Sequence, residues 1–157
     1  MSVFESVEAI QSRLSGQKIT PQEREILNDR FQSIKGIEWV GDLMSCYALS
    51  GTTFTLDEEV DPSGLGVEMQ WMAPADMVEE AFELYPGIPA LGLGYLPIGQ
   101  CLSGSGDPYF LKIKAGEDPP LVRIPHESAE DENTLDESQI EEIVSSLSAF
   151  LGMAKIE

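Results

Sequence analysis

Positive charge is scarce in this chain, and the middle of the chain has none. Nine Lys and Arg residues stand against 28 Asp and Glu residues, so 157 residues carry a formal net charge of −19. Residues 36–111 contain twelve acidic residues and no Lys or Arg. Nucleic-acid backbones and anionic membranes bind clustered basic side chains, so this composition excludes both as direct partners. Two interpretations stay open: a solvated acidic face, or a surface that binds a basic protein.

Cysteine, histidine and long apolar runs are also few. Cys46 and Cys101 are far apart and His126 is the only histidine, so no zinc-ligand spacing is present. Residues 1–15 lack the continuous apolar run of a signal peptide, and no stretch reaches the roughly 20 apolar residues of a membrane span. We therefore expect a cytoplasmic protein with two free thiols and no metal or other cofactor.

Three amphipathic helices are predicted before residue 50. Apolar residues recur at helical spacing over residues 3–14, where Ser2 can cap the helix, and again over residues 37–47. The second helix begins at Thr20, which forms a capping box with Glu23. Its apolar stripe consists of Ile26, Leu27, Phe31 and Ile34. Gly16 and Gly36 are expected to end the first and second helices.

Strands are predicted from residue 52 onward. Residues 52–55 and 67–71 have strand composition, and they flank an acidic segment, 57–66, with a turn at 61–64. Pro74 begins a short helix that ends at 85–87. The segments 91–102, 107–114 and 121–126 then predict a β-meander, with turns at 104–107 and 115–118 and a loop at 127–139. Pro97 indicates an edge, bend or bulge rather than a central strand position.

The C-terminal segment allows two interpretations. Its apolar residues fit one continuous helix from residue 140, and they fit equally a strand at 140–144 followed by a helix capped by Ser145 or Ser146. In both cases helices precede strands and a helix follows them, so the fold class is α+β.

No arrangement of residues predicts catalysis. His126 has no serine or cysteine beside it in a nucleophile motif, and a structural or surface role is the simpler interpretation. Adjacent acids such as Glu79 and Glu80 are expected to be solvated, because a hydrolase or calcium site needs carboxylates that converge on one pocket. The glycines at 92–99 lack the spacing of a dinucleotide-binding turn. We therefore expect a protein that is not an enzyme.

Most of the chain resembles a known family. The similar segments are IEWVGDLMSCYALSG (37–51), Trp71 with Pro74, YPGIPALGLGYLPIG (85–99), GSGDPYF (104–110), PLVRIPHE (120–127) and SSLSAFL (145–151). Together they resemble the SUKH superfamily, which includes the Smi-one/Knr-four cell-wall-assembly regulators. The resemblance covers residues 37–152. It divides the chain into an N-terminal helical extension packed on the domain, 1–35, and a SUKH-like domain, 36–157.

The resemblance implies a fold and two possible functions. The implied fold has helices packed on one side of a strongly bent, mainly antiparallel sheet, and it favours a strand followed by a helix at 140–155. Many bacterial members resemble immunity proteins that bind and block a cognate toxin, often a nuclease. Fungal members resemble regulatory or scaffold proteins in cell-wall assembly and signalling. No enzymatic activity is implied for either group.

Charge and resemblance together predict a binding surface for a basic protein. Since a nuclease presents Lys and Arg to phosphate, an acidic inhibitor can occupy that surface. The predicted contact residues are acids of the segments 57–63 and 127–137 and two aromatic anchors. They are Asp57, Glu58, Glu59, Asp61, Glu130, Asp131, Glu132, Trp39 and Tyr109. Two further aromatic residues, Trp71 and Phe110, are expected in the core because they lie within strands.

Overall fold

Helices and one antiparallel sheet make up the computed structural model, which describes residues 2–61, 64, 66–103 and 106–157. Across these residues the helices are α1 (Val3–Ile10), α2 (Pro21–Arg30), α3 (Ile37–Cys46), α4 (Pro74–Glu83), α5 (Gly87–Gly92) and α6 (Leu147–Met153). The strands are β1 (Thr53–Leu56), β2 (Val67–Trp71), β3 (Tyr95–Cys101), β4 (Tyr109–Lys112), β5 (Leu121–Arg123), β6 (Glu141–Val144) and β7 (Lys155–Ile156). The fold class is α+β, as predicted.

The sheet follows the order of the chain, with one exception. Its strand order is β6-β5-β4-β3-β2-β1-β7, and the C-terminal strand β7 returns to pair with β1. The pairing register shifts between Pro97 and Gly99 and again between Leu121 and Val122. Bulges of this kind increase local bending, and the sheet curls into a half-barrel.

Side chains of the sheet enter two hydrophobic clusters. On β4, Tyr109 and Leu111 belong to the larger cluster, whereas Phe110 between them belongs to the smaller one. Successive strand residues point to opposite faces, so apolar side chains pack on both faces of the sheet. The larger cluster also receives side chains from α1, α2, α3, α4 and α6. Trp71 and Phe110 are 1% and 0% exposed, which confirms their predicted core positions.

The N-terminal residues are joined to the sheet through one buried threonine. The Thr52 side chain is fully buried. Its Oγ1 accepts hydrogen bonds from the N–H groups of Ser15 (3.2 Å) and Gly16 (2.9 Å) and donates to the carbonyl of Ala48 (2.8 Å). α1 packs against α6, and α2 packs against α3 and α4. Residues 1–35 therefore contribute to the same main core as the rest of the chain.

Both predicted capping boxes form, but two helix ends differ from the prediction. The hydroxyls of Ser2 and Thr20 each accept the N–H of the third helical residue, at 3.1 Å. α1 ends at Ile10 and α2 at Arg30, before the glycines expected to end them. Gly36 instead caps the start of α3 with a φ of +99°. Ile26, placed in the apolar stripe of α2, is 47% exposed.

The glycine-rich strand prediction was wrong in part. Residues 87–92 form α5, so the first meander strand begins at Tyr95 rather than at residue 91. Pro89 lies in the first turn of α5, where a missing N–H costs no helical hydrogen bond. β3 pairs with β2 and β4, so Pro97 lies in a central strand, contrary to the prediction, although the predicted bulge is present there.

At the C-terminus the strand-then-helix interpretation is confirmed. β6 pairs with β5, and the Ser146 hydroxyl caps α6 by accepting the N–H of Ala149 at 3.2 Å. The predicted turns at 61–64 and 104–107 include Pro62, Ser63, Gly104 and Ser105, which lie outside the described residues. Within the described part of the chain, none of the helices has the length and apolar character needed to cross a membrane.

Candidate protein-binding surface

An acidic cleft lies where the chain leaves the sheet between β1 and β2. The two strands pair as far as Leu56 and Val67. The carbonyl of Asp57 then accepts the N–H groups of Val60 and Asp61, both at 3.1 Å, and these hydrogen bonds close a turn over residues 57–61. The cleft has a volume of about 530 Å³. It is lined by Leu56, Asp57, Glu58, Glu59, Gly66, Val67, Glu68 and Ser103.

The carboxylates of the acidic cleft are largely uncompensated. Asp57, Glu58, Glu59 and Glu68 are all exposed. Among the described residues, one cation forms an ion pair with them: Lys155 Nζ lies 3.2 Å from Asp57 Oδ2. Both side chains of that pair are exposed, and such pairs contribute only about 0.2–1 kcal/mol. The acidic cleft therefore presents net negative charge to solvent.

Two exposed apolar side chains accompany this charge. Val60, in the turn that follows Asp57, is 50% exposed, and Leu102 is 42% exposed. The Leu102 N–H donates to the carbonyl of Glu68 at 2.9 Å, which places Leu102 beside the acidic cleft. Apolar side chains surrounded by charged ones are typical of a protein-binding site, because the apolar atoms supply binding energy and the charges supply orientation.

The turn that begins at Asp57 ends in a buried residue, Asp61. Asp61 is 3% exposed, and its carboxylate lies 3.8 Å from the guanidinium of Arg123, which is itself 2% exposed. Arg123 also donates to the Tyr109 hydroxyl (3.2 Å), the Gly66 carbonyl (3.3 Å) and Glu141 Oε1 (3.2 Å). Asp61 and Gly66 precede β2, whereas Arg123 lies on β5. The arginine therefore fixes the loop across the strands in between.

Burial also affects Tyr109. Desolvation raises the pKa of its hydroxyl to about 12, although the nearby Arg123 favours the ionised form. The hydroxyl therefore stays protonated at physiological pH and accepts the hydrogen bond from Arg123. Tyr109 and Asp61 were predicted to contact a partner. That prediction is wrong for both, because both side chains are buried and serve to hold the loop.

The second acidic loop, residues 126–140, packs on the opposite face of β5. Leu135 and Ala129 contact the smaller hydrophobic cluster with Val122, whereas Arg123 points toward Tyr109 in the larger cluster. Glu130, Asp131 and Glu132 are exposed on this loop. The two acidic loops therefore pack on different faces of one strand.

One of these acids, Asp131, already accepts hydrogen bonds within its own loop. The Asp131 carboxylate accepts the backbone N–H groups of Asn133 (2.7 Å) and Thr134 (2.9 Å), and these hydrogen bonds lower its pKa. Its charge stabilises a turn of its own loop. The carboxylates of Glu130 and Glu132 are the more available ones on this loop.

Trp39 lies in a third place. It is half-buried in the first turn of α3 and lines a cavity with Gly36 and Lys114, apart from both acidic loops. The sequence prediction missed Glu68, which lines the acidic cleft, and the exposed Val60 and Leu102 beside it. Glu68 could have been predicted from the sequence, because it is the outward-facing acid of a strand that directly follows the acidic segment.

The groups with strongly raised pKa values lie outside the acidic cleft. Burial raises the pKa of Glu80 to about 7, and its Oε2 accepts the Gly87 N–H at 3.0 Å. Burial likewise raises the pKa of Tyr95 to about 12. Cys46 and Cys101 are not joined in a disulfide bond. Within the described residues, no group of three or more His, Cys, Asp or Glu side chains could hold a metal ion.

Comparison of the chain with protein-family models, with curated proteins and with solved structures finds no match.

Proposed function

We propose that this protein is a non-enzymatic binding module of the SUKH type, and that it neutralises a toxin domain with a basic, nuclease-type surface. The observation that carries the proposal is the acidic cleft, in which four exposed carboxylates stand against one exposed lysine among the described residues. Exposed Val60 and Leu102 beside it supply the apolar contacts that a stable complex needs.

The fold agrees with the resemblance in two respects. A curled antiparallel sheet carries the main helical layer on one face, and a strand followed by a helix occupies residues 141–153. Both features are what the SUKH resemblance implies. This agreement supports the proposal, and the charge of the acidic cleft gives it a partner chemistry.

The acidic cleft would act by electrostatic complementarity. A nuclease holds phosphate with Lys and Arg, so the carboxylates of the acidic cleft can pair with the same basic side chains and block the substrate. Complementary charge chiefly raises the association rate, to about 10⁸ M⁻¹s⁻¹ at low salt. Buried Arg123 holds Asp61, so the backbone of residues 57–61 loses little conformational entropy when the carboxylates bind.

Co-expression tests the proposal. The protein is expressed with each toxin-like domain encoded beside its gene, and survival of the host is scored. We expect protection from one of these domains and co-purification of the two proteins. Replacing Glu58, Glu59 and Glu68 by Gln should abolish protection, whereas replacing Glu127, Glu130 and Glu132 by Gln should preserve it.

The alternative is a regulatory or scaffold protein of the Smi-one/Knr-four type with a different basic partner. Capture from the source organism followed by mass spectrometry separates the two. A basic partner with no toxic activity supports regulation. Failure of every neighbouring domain to be neutralised, together with no basic partner captured at low salt, contradicts both proposals.

A further inference from the structure

A groove beside α3 collects two lysines and a tryptophan. Its volume is about 640 Å³, within the range of small-molecule sites. Its lining includes Ile34, Lys35, Trp39, Ile113, Lys114 and Glu117. We call it the lysine groove. The chain has nine basic residues, and two of them lie at this groove. The proposed function does not use them.

The two lysines carry charge that is not neutralised by contact. Within the described residues, neither Lys35 nor Lys114 forms an ion pair with a carboxylate, although acids outnumber bases threefold. Lys114 Nζ lies 5.7 Å from the centre of the Tyr95 ring, which positions the ammonium without neutralising it. Glu117 is the carboxylate among the residues that line the lysine groove.

Backbone N–H groups add to this positive end. The cap residue of α3 is Gly36, which has no side chain to accept hydrogen bonds from the first turn. Among the described residues, the N–H groups of Glu38 and Trp39 have no hydrogen-bond partner. Free amides at a helix start attract anions, and Trp39, which carries one of these two amides, lines the lysine groove together with both lysines.

The tryptophan gives the lysine groove a flat apolar wall. The indole packs closely over Gly36, where an added Cβ would lie 2.7 Å from Trp39 Nε1. The glycine therefore lets the ring lie against the backbone, and the half-buried ring forms part of the groove lining. Ile34 and Ile113 extend the apolar lining beside it.

We propose that the lysine groove binds a small aromatic phosphate of nucleotide size. The planar ring would stack on Trp39, and the phosphate would lie between Lys35, Lys114 and the first amides of α3. This site is separate from the acidic cleft, and its occupation does not depend on the proposed toxin-binding function. The net charge of the whole protein opposes anions at long range, but at 0.15 M salt the Debye length is about 8 Å, so the local lysines dominate.

Amide NMR with AMP as the probe tests this proposal at physiological salt. We expect saturable shifts of the Glu38 and Trp39 amides and of the Trp39 indole N–H. Adenosine and inorganic phosphate, titrated separately, should each bind at least about tenfold more weakly than AMP, because each retains only half of the contacts. Absence of saturable shifts at millimolar AMP overturns the proposal.

Charge variants of the folded protein make the test specific. Lys35→Gln and Lys114→Gln should each weaken AMP binding about tenfold, since each removes a charged hydrogen bond to phosphate. Glu117→Gln should strengthen binding, and Lys18→Gln, which removes the same charge from a different cavity, should leave it unchanged. Equal weakening by Lys18→Gln, or equal affinity for adenosine and AMP, contradicts a phosphate site. Displacement of AMP by a tighter-binding polyglutamate peptide would overturn the small-molecule assignment in favour of an acidic protein segment.

Discussion

The two acidic loops have similar composition and different anchors. In the first, a buried ion pair with Arg123 anchors Asp61, and the three adjacent acids Asp57, Glu58 and Glu59 are exposed in the acidic cleft. The second, residues 126–140, is fixed by the apolar side chain of Leu135 and by turns whose acceptors include Asp131. One loop is held by a charge from elsewhere in the sheet, and the other partly by its own acids.

The difference shows that the contacts of an acidic residue, and not its charge alone, decide whether it is available to a partner. Asp61 and Asp131 carry the same formal charge as Glu58, but one is buried against arginine and the other accepts backbone hydrogen bonds. The acids of the acidic cleft have fewer partners inside the protein. A basic partner should therefore bind the first loop through Asp57, Glu58 and Glu59, and much less through the second.

Replacing Arg123 should have the largest effect on stability. Arg123→Met leaves the Asp61 carboxylate and the Tyr109 hydroxyl buried without their cationic partner, which should reduce the free energy of unfolding by about 3–5 kcal/mol. Urea denaturation measures this. The double variant Asp61→Asn/Arg123→Met should recover part of the loss, because no buried charge remains unpaired.

A matched control for Arg123 is its more exposed partner. Glu141, whose side chain is 33% exposed, can regain water when its contact is lost. Glu141→Gln should therefore cost less than about 1 kcal/mol. A loss below 1 kcal/mol for Arg123→Met as well would show that the first loop is not held by this pair.

Glu80 gives the contrasting case of a buried carboxyl without an arginine. Its pKa is raised from 4.5 to about 7, so between these pH values the unfolded chain releases a proton that the folded protein retains. Stability should therefore fall as pH rises from about 4.5 to 7, by up to about 3 kcal/mol, and should be insensitive to this group outside that window. In Glu80→Gln this contribution should vanish. The difference in unfolding free energy between wild type and variant, measured across this pH range, checks the sign, and a constant difference would contradict the raised pKa.

Removing the apolar anchor of the second loop should have an intermediate effect. Leu135 is 8% exposed, and Leu135→Ala should reduce the free energy of unfolding by about 2 kcal/mol through lost burial and a cavity. Hydrogen exchange should increase in residues 126–140 and remain unchanged in residues 57–61. Partner binding should be retained, and its loss would place the second loop in the interface.

Neutralising the acidic cleft should have the smallest effect on stability. Glu58→Gln, Glu59→Gln and Glu68→Gln change exposed side chains, and together they should shift the free energy of unfolding by less than about 1 kcal/mol. The sign should be slightly stabilising, because like charges are removed. Thermal denaturation of the triple variant measures this, and a large loss would mean that these acids serve the fold.

Local signals in the sequence predict much of this fold. The capping boxes at Ser2 and Thr20 and the bounds of β2 follow from residues within a few positions of each element. α5 was missed because an apolar run rich in glycine and proline has no helical period. The two-residue strand β7 exists only because α6 returns the chain to β1.

The site was less predictable because its decisive contacts are between distant residues. Exposure of Asp57, Glu58 and Glu59 follows from their composition. Burial of Asp61 depends on Arg123, which lies on β5, far along the chain. No pattern in the neighbouring sequence indicates that these two residues pair. Tyr109, which faces Arg123 on the neighbouring strand, is buried in the larger hydrophobic cluster, so an aromatic residue that would suit an interface serves the core instead.

The association rate of the partner at several salt concentrations tests the binding role of the acidic cleft most directly. The toxin domain identified by protection is mixed with wild type, with the Glu58/Glu59/Glu68 triple Gln variant and with the Glu127/Glu130/Glu132 triple Gln variant in a stopped-flow instrument. All three proteins should be folded, and the two variants have equal net charge. If the acidic cleft binds the partner, the first variant should associate more slowly and with a weaker salt dependence, and the second should stay close to wild type. Equal rates for the two variants would contradict a binding role for the acidic cleft.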